Sequence, residues 1–145
     1  MSDGSRITPG ELELEPAVRV GAATPLADAA RILTSTGLDT LLVDTVPLTE
    51  VTEHDVVRAV AAGLGPDTAV IDVVHETPLF VDHHTTLDRI VQAMLREHRR
   101  SVVVVDGAGH VLGMLTLAVA IAAVVEGPPW LGALRVALGI EEPAP

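Results

Sequence analysis

The residues best suited to chemistry stand in one short stretch. Thr52, Glu53, His54 and Asp55 lie directly ahead of an apolar helical run that stops at Gly63. A hydroxyl, an imidazole and a carboxylate could form a nucleophile relay. No Gly-x-Ser-x-Gly turn accompanies them, however, and nothing in the spacing places a base beside the hydroxyl. A threonine followed three residues later by an acid also describes a capping box, which stabilises a helix start by about 1 kcal/mol and needs no ligand. The same pair can hold a ligand. A carboxylate accepts hydrogen bonds from two vicinal hydroxyls at once, bonds to a charged acceptor are the stronger kind, and the helix N-terminus adds backbone donors. Cap and ligand contact are compatible, so both readings stand at this point.

Six histidines (His54, His75, His83, His84, His98 and His110) raise the question of a metal. None belongs to an HExxH motif or to another i, i+4 pair on a helix. His83 and His84 fall in a polar turn after a strand, where solvated side chains are expected, so the sequence predicts no metal site. Arg96-Glu-His-Arg-Arg100 is a basic cluster in an acidic chain. It reads as a solvated helix end favoured by the C-terminal dipole, or as an anion-contact patch lined by Arg99 and Arg100.

Composition excludes whole classes. With one Phe, one Trp and no Tyr, the chain lacks the rings that stack on bases, and its net charge of −11 repels phosphate backbones and anionic membranes. It contains no cysteine, which removes disulfides and thiolate zinc sites. The longest apolar stretch, Val111 to Val125, is interrupted by Gly113 and Thr116 and falls short of the roughly 20 residues of a membrane span. The first residues are polar and acidic, without an apolar signal segment. A soluble, cytoplasmic protein is expected, with neither nucleic acid nor membrane as partner. At 145 residues and 48% apolar content it is one compact domain, or two small halves sharing a core.

The elements that must position these residues occur twice. Thr24 and Thr85 each precede a helical pattern, with Leu26, Ala29, Ala30 and Leu33 on one face of the first and Leu87, Ile90, Val91 and Met94 on one face of the second. A β-branched strand follows in each copy (40–44 and 101–106), then a turn and a second strand (47–51 and 110–115). Thr52 and Thr116 then open apolar helices that stop at Gly63 and Gly127, at equal spacing, the mark of a duplication. Strands at 17–23 and in Pro78-Leu-Phe-Val81 lead into the two copies. The fold class is therefore α/β (α+β): tandem β-α-β-β-α repeats that pack around a pseudo-two-fold axis. The boundaries predicted are a flexible acidic lead over 1–16, a first repeat over 17–66, a second over 67–127, and an extension over 128–145. In that extension Trp130, Leu134 and Leu138 share a helix face. The helix over 117–125 is apolar all round, which predicts burial on every side and a homodimer interface.

The order β-α-β-β-α, twice over, with Thr-x-x-Asp at a second-helix start, resembles the cystathionine-β-synthase (CBS) domain pair, or Bateman module. The resemblance covers roughly residues 17–127 and rests on Val70–Val74, Ser101–Thr116 and Leu48–Gly63. It implies a regulatory protein rather than an enzyme: a sensor of adenosine-containing ligands (AMP, ADP, ATP, S-adenosylmethionine or NAD) that dimerises, needs no cofactor, and signals to a protein partner the sequence does not name. By the same resemblance Thr52 and Asp55 hold the ribose hydroxyls of one site, in a cleft between the repeats. Val70, Val74, Arg100 and Ser101 would form its adenine slot.

Two departures qualify that expectation. Val119 stands at the acid's position after Thr116, so the second site lacks its ribose acceptor. Asp39 occupies a strand entry where a basic phosphate contact is common in the family, and a carboxylate there repels phosphate. The expectation is at most one well-formed site. The alternative is a ligand-free dimerisation or interaction module with degenerate sites.

Overall fold

The computed structural model describes residues 6–74 and 76–126. These form two units: Ala17–Pro78 make up the first, and the described residues on either side of that segment make up the second. The first contains β1 (Arg19–Gly21), α1 (Leu26–Thr36), β2 (Thr40–Asp44), β3 (Thr49–Thr52) and α2 (Glu53–Ala61), followed by a 3-10 turn over Val70–Asp72. The second opens with a 3-10 turn over Pro9–Glu11 and resumes with β4 (Phe80–Asp82), α3 (Leu87–Arg96), β5 (Ser101–Val105), β6 (Val111–Thr116) and α4 (Leu117–Glu126).

Each unit has a three-stranded sheet, β1-β2-β3 or β4-β5-β6, whose first pair is parallel and second pair antiparallel. The central strands are buried on both faces, from Thr40 to Val43 and from Ser101 to Val104. Their unbroken apolar runs answer that environment, where an alternating pattern would suit a half-exposed strand. Helix α1 turns Leu26, Ala29 and Leu33 inward, and α3 turns Leu87, Ile90 and Met94 inward, so one stripe of each helix completes a core.

The start of these helices differs from the sequence expectation. Thr24 and Thr85 do not cap them; Pro25 and Thr86 hold the N-cap positions, and neither supplies a side-chain cap bond. The first free amide of each helix is satisfied from a distant segment instead. Leu26 N–H donates to the Thr68 carbonyl at 2.7 Å, and Leu87 N–H donates to the Ile7 carbonyl at 2.8 Å.

That correspondence shows where the repeat begins. Elements recur at one offset from Pro9 to Val70, Arg19 to Phe80, Leu26 to Leu87 and Thr40 to Ser101. After the longer second turn the offset grows, taking Thr52 to Thr116 and Glu53 to Leu117. The repeat thus starts at the 3-10 turn, and the opening segment of each copy packs in the unit of the other.

The segment expected to be a flexible lead is accordingly ordered over its described residues. Ile7 is buried, and Leu12 and Leu14 pack on the core of the second unit. Glu15 and Met114 exchange both backbone hydrogen bonds, at 3.0 and 2.8 Å. Prolines and acids suggested a tail, but the alternation of Leu12 and Leu14 with glutamates is that of an edge segment with one apolar face. In the same way residues 67–78, expected within the second repeat, belong to the first unit, where Glu50 N–H donates to the Glu76 carbonyl at 3.3 Å.

Helix α4 is only partly buried within the chain. Ala120 and Ala123 are buried, whereas Val119, Ile121 and Val125 are exposed, Val125 at 74%. Gly127 and the helix face of Trp130, Leu134 and Leu138 lie outside the described residues.

Two predictions follow from this packing. A Cβ on Gly113 would stand 2.8 Å from both the Glu15 carbonyl oxygen and the Leu14 Cβ, so Gly113→Ala forces the leading segment away from β6. The expected loss is about 1–3 kcal/mol in urea denaturation, with the fold retained. In the β5–β6 turn, Asp106 accepts the backbone N–H groups of His110 and Ala108 and meets the His110 ring. These bonds, the His110 amide foremost, hold its carboxyl below the usual carboxylate range. A depressed folded value contributes stability above the unfolded pKa of about 3.9 and loses it as pH falls through the folded value. Asp106→Asn should therefore shrink the loss of stability on acidification below about pH 4, read as urea midpoints across the acid range.

Candidate functional site

Thr52 and Asp55 sit where β3 passes into α2. Thr52 is extended and caps the helix: its Oγ1 accepts the Asp55 N–H at 3.1 Å, and its own N–H donates to Asp55 Oδ2 at 2.9 Å. The capping box is therefore complete. Asp55 is buried at 9% exposure, and its second oxygen, Oδ1, receives Arg58 Nη2 at 2.5 Å. Sequence reading missed Arg58, although its i, i+3 spacing from Asp55 on a helix was a usable signal. The carboxylate is thus fixed by two groups, the Thr52 N–H and the Arg58 guanidinium, at a helix N-terminus. Each oxygen has a second lone-pair direction through which to accept a hydroxyl.

His54, the middle member of the trio, is exposed on the first turn and takes no part in the capping box. Asp39 is close by along the backbone. Its carbonyl accepts the Glu53 N–H at 3.0 Å, its Oδ1 accepts the Thr40 hydroxyl at 3.2 Å, and Thr40 pairs with Thr52 across β2 and β3. The strand entry and the helix cap of one repeat therefore stand side by side, and both carry carboxylates.

Val70 and Val74 belong to the same unit as Thr52 and Asp55. Val70 is fully buried in the core that contains Val51, and Val74 packs against that core. Val70 N–H donates to the Thr24 carbonyl at 2.9 Å, so the 3-10 turn is tied to the segment ahead of α1. Arg100 and Ser101 lie in the other unit. There Arg100 is exposed, Ser101 is buried and pairs with Thr116, and the Arg100 carbonyl accepts the Leu117 N–H at 2.7 Å. Thr116 Oγ1 accepts the Val119 N–H at 3.2 Å. The second turn keeps the cap and lacks the acid. Arg100 stands at the strand entry beside the turn that lacks the acid, and Asp39 stands at the strand entry beside the turn that carries Asp55.

Comparison with known proteins agrees with this architecture. Residues 70–126 match the family model of the CBS domain. A CBS domain protein, PAE2072 from Pyrobaculum aerophilum, solved in complex with AMP, is 26% identical. The alignment spans 77% of this chain and 88% of that one, with a TM-score of 0.68. The CBS domain pair of protein MJ0100, solved with 5′-methylthioadenosine and S-adenosyl-L-methionine, is 18% identical over 79% of this chain and 96% of that one, also with a TM-score of 0.68. A hexameric CBS-CP12 protein from bloom-forming cyanobacteria is 22% identical over 79% and 69%, with a TM-score of 0.70. Comparison with curated protein sequences returns no match. Residues 70–126 thus resemble a CBS domain, and the fold is that of the CBS-pair structures.

The cap can be separated from any ligand role by stability alone. Thr52→Ala removes the side-chain acceptor for Asp55 N–H and should cost about 0.5–2 kcal/mol, whereas Thr52→Ser should recover most of it. Chemical denaturation without added ligand reads both values.

Proposed function

We propose that this chain is a regulatory CBS-pair protein, not an enzyme, that binds an adenosine-containing ligand through the Thr52–Asp55 turn. Bound ligand would signal to a partner protein. The observation that carries the proposal is Asp55 itself: a buried carboxylate at a helix N-terminus, oriented by Thr52 and Arg58, with accepting capacity left for a pair of vicinal hydroxyls. The AMP, methylthioadenosine and S-adenosylmethionine bound by similarly folded proteins support the ligand class. Val74, in the same unit and only partly buried, offers apolar surface of the kind a purine requires, whereas the Val70 side chain is fully buried in the core. Ligand would act by favouring one arrangement of the chain over another, to the extent of its differential affinity for the two.

Asp39 narrows the class further. Its carboxylate stands at the strand entry beside the Thr52 cap, so phosphates are disfavoured and adenosine, methylthioadenosine or S-adenosylmethionine are preferred over ATP. Arg100 and Ser101 are the corresponding strand-entry residues of the other unit, beside Thr116 and Val119, where the hydroxyl acceptor is lacking.

A ligand-free dimerisation module is the second reading, favoured by two observations. Asp55 is already paired within the chain, and α4 exposes Val119, Ile121 and Val125 while α2 exposes Val57 and Val60. A second copy covering these faces would make a homodimer. Among the described residues, no helix is long and apolar enough to cross a membrane.

Thermal melting distinguishes the two readings. A ligand at about 100 times its Kd stabilises by about 2.7 kcal/mol, so the preferred adenosine compound should raise the midpoint by several degrees. Asp55→Ala should remove the shift, and Asp39→Arg should raise the response to AMP relative to adenosine. No shift with any adenosine compound at millimolar concentration would sink the sensor reading. Light scattering after size exclusion tests the interface: the parent should run as a dimer and Val125→Asp as a smaller species.

A further inference from the structure

The turn between β4 and α3 carries Asp82, His83 and His84, whose ligand atoms all lie within 4.8 Å of one another. The two imidazole rings sit 3.9 Å apart, centroid to centroid. Asp82 and His84 also line an open groove whose other walls include Arg6, Asp88 and Arg89. The backbone of the turn is fixed: His83 N–H donates to the Val105 carbonyl at 2.9 Å, and Thr85 N–H donates to the Asp82 carbonyl at 2.9 Å.

The first unit supplies an internal control. At the corresponding position it builds the same turn, with Thr24 N–H donating to the Gly21 carbonyl at 3.1 Å, from Gly21, Ala22 and Ala23. Arg6, Asp88 and Arg89 correspond there to Asp67, Ala27 and Asp28. The fold therefore does not require a carboxylate and two imidazoles at this turn. Their chemistry is additional to it and confined to one copy of the duplication.

We propose that Asp82, His83 and His84 form a binding site for a divalent cation of the Zn2+ or Ni2+ type. Two imidazoles and one carboxylate select borderline metals over Mg2+ or Ca2+, which prefer shells made only of oxygen. Donors that share one metal at about 2.1 Å stand at most about 4.2 Å apart, so a small rotation of side chains at the surface closes the set. Three protein ligands leave at least one coordination position, and the groove gives water access to it.

The test is calorimetric titration of untagged, chelator-treated protein with Zn2+, Ni2+ and Mg2+. The parent should bind one equivalent of Zn2+ or Ni2+ and bind Mg2+ far more weakly. The triple variant Asp82→Gly, His83→Ala, His84→Ala, which carries the first unit's own residues, should melt as the parent does in chelator. Its Zn2+ affinity should fall by more than the roughly 10–100-fold that loss of an outer partner causes. His110→Ala, which alters the separate Asp106–His110 contact, should bind as the parent does. Should the triple variant prove unstable, Ni2+ broadening of imidazole NMR signals in the parent decides, with His83 and His84 expected to broaden first. The proposal is overturned by absence of Zn2+ binding, by equal affinity for Mg2+, by a triple variant that binds undiminished, or by first broadening at His54, His98 or His110.

Discussion

Two carbonyls, those of Ile7 and Thr68, accept the first free amides of α3 and α1, and most of the architecture depends on them. A helix start has amides without internal partners, and a buried one left unmade costs about 1–3 kcal/mol. Neither helix has a side-chain cap, so a backbone segment must come to each. The segment that comes is the opening stretch of the other repeat. Its arrival brings further contacts: Leu12 and Leu14 enter one core and Val70 and Val73 the other. The Glu15–Met114 and Glu50–Glu76 pairings then extend each sheet beyond its three strands.

On this shared backbone the two copies have diverged in chemistry. Both second helices keep a threonine cap. One adds Asp55 and Arg58, so its turn presents an oriented carboxylate; the other places Val119 at the acid's position. The strand entries diverge in the opposite sense, Asp39 in one and Arg100 in the other. On the proposed reading, an acceptor for hydroxyls and a cation suited to phosphate stand in different copies. If an adenosine compound binds there as proposed, a carboxylate-rich turn favours its sugar end and disfavours a phosphate end.

The repeat was legible because its signals are local. The unbroken runs at Thr40–Val43 and Ser101–Val104 read as buried strands, the i, i+3, i+4 stripes of α1 and α3 read as helix faces, and Thr52 three residues ahead of Asp55 read as a cap. What escaped depends on distant partners. Thr24 and Thr85 looked like caps because a hydroxyl ahead of a helix is the commonest solution, and no local pattern reveals that a carbonyl from Thr68 or Ile7 replaces it. In the lead, Pro9, Pro16 and the glutamates point to flexibility and mask the Leu12–Leu14 alternation. The structure shows why β6 carries Gly113 at that point: a side chain there would collide with Glu15 and Leu14. At the site, Arg58 was within reach of helix periodicity, whereas the grouping of Val70 and Val74 with Asp55 follows from the exchange and could not be read from one strand at a time.

The exchanged opening segments carry a consequence for how such a chain could arise. A single copy of this repeat cannot satisfy its own first helix, because the carbonyl it needs comes from the opening stretch of another copy. Two identical single-repeat chains could trade those stretches and form a closed pair, at the cost of meeting by diffusion. Joining the copies end to end makes the trade intramolecular, at an effective concentration near the millimolar range for a short linker. It also frees each copy to change alone. Once the partner is guaranteed by the covalent chain, one copy can lose an acid at Val119 or gain histidines at the β4–α3 turn without imposing the same change on its mate. The duplication is therefore what permits asymmetry in this fold.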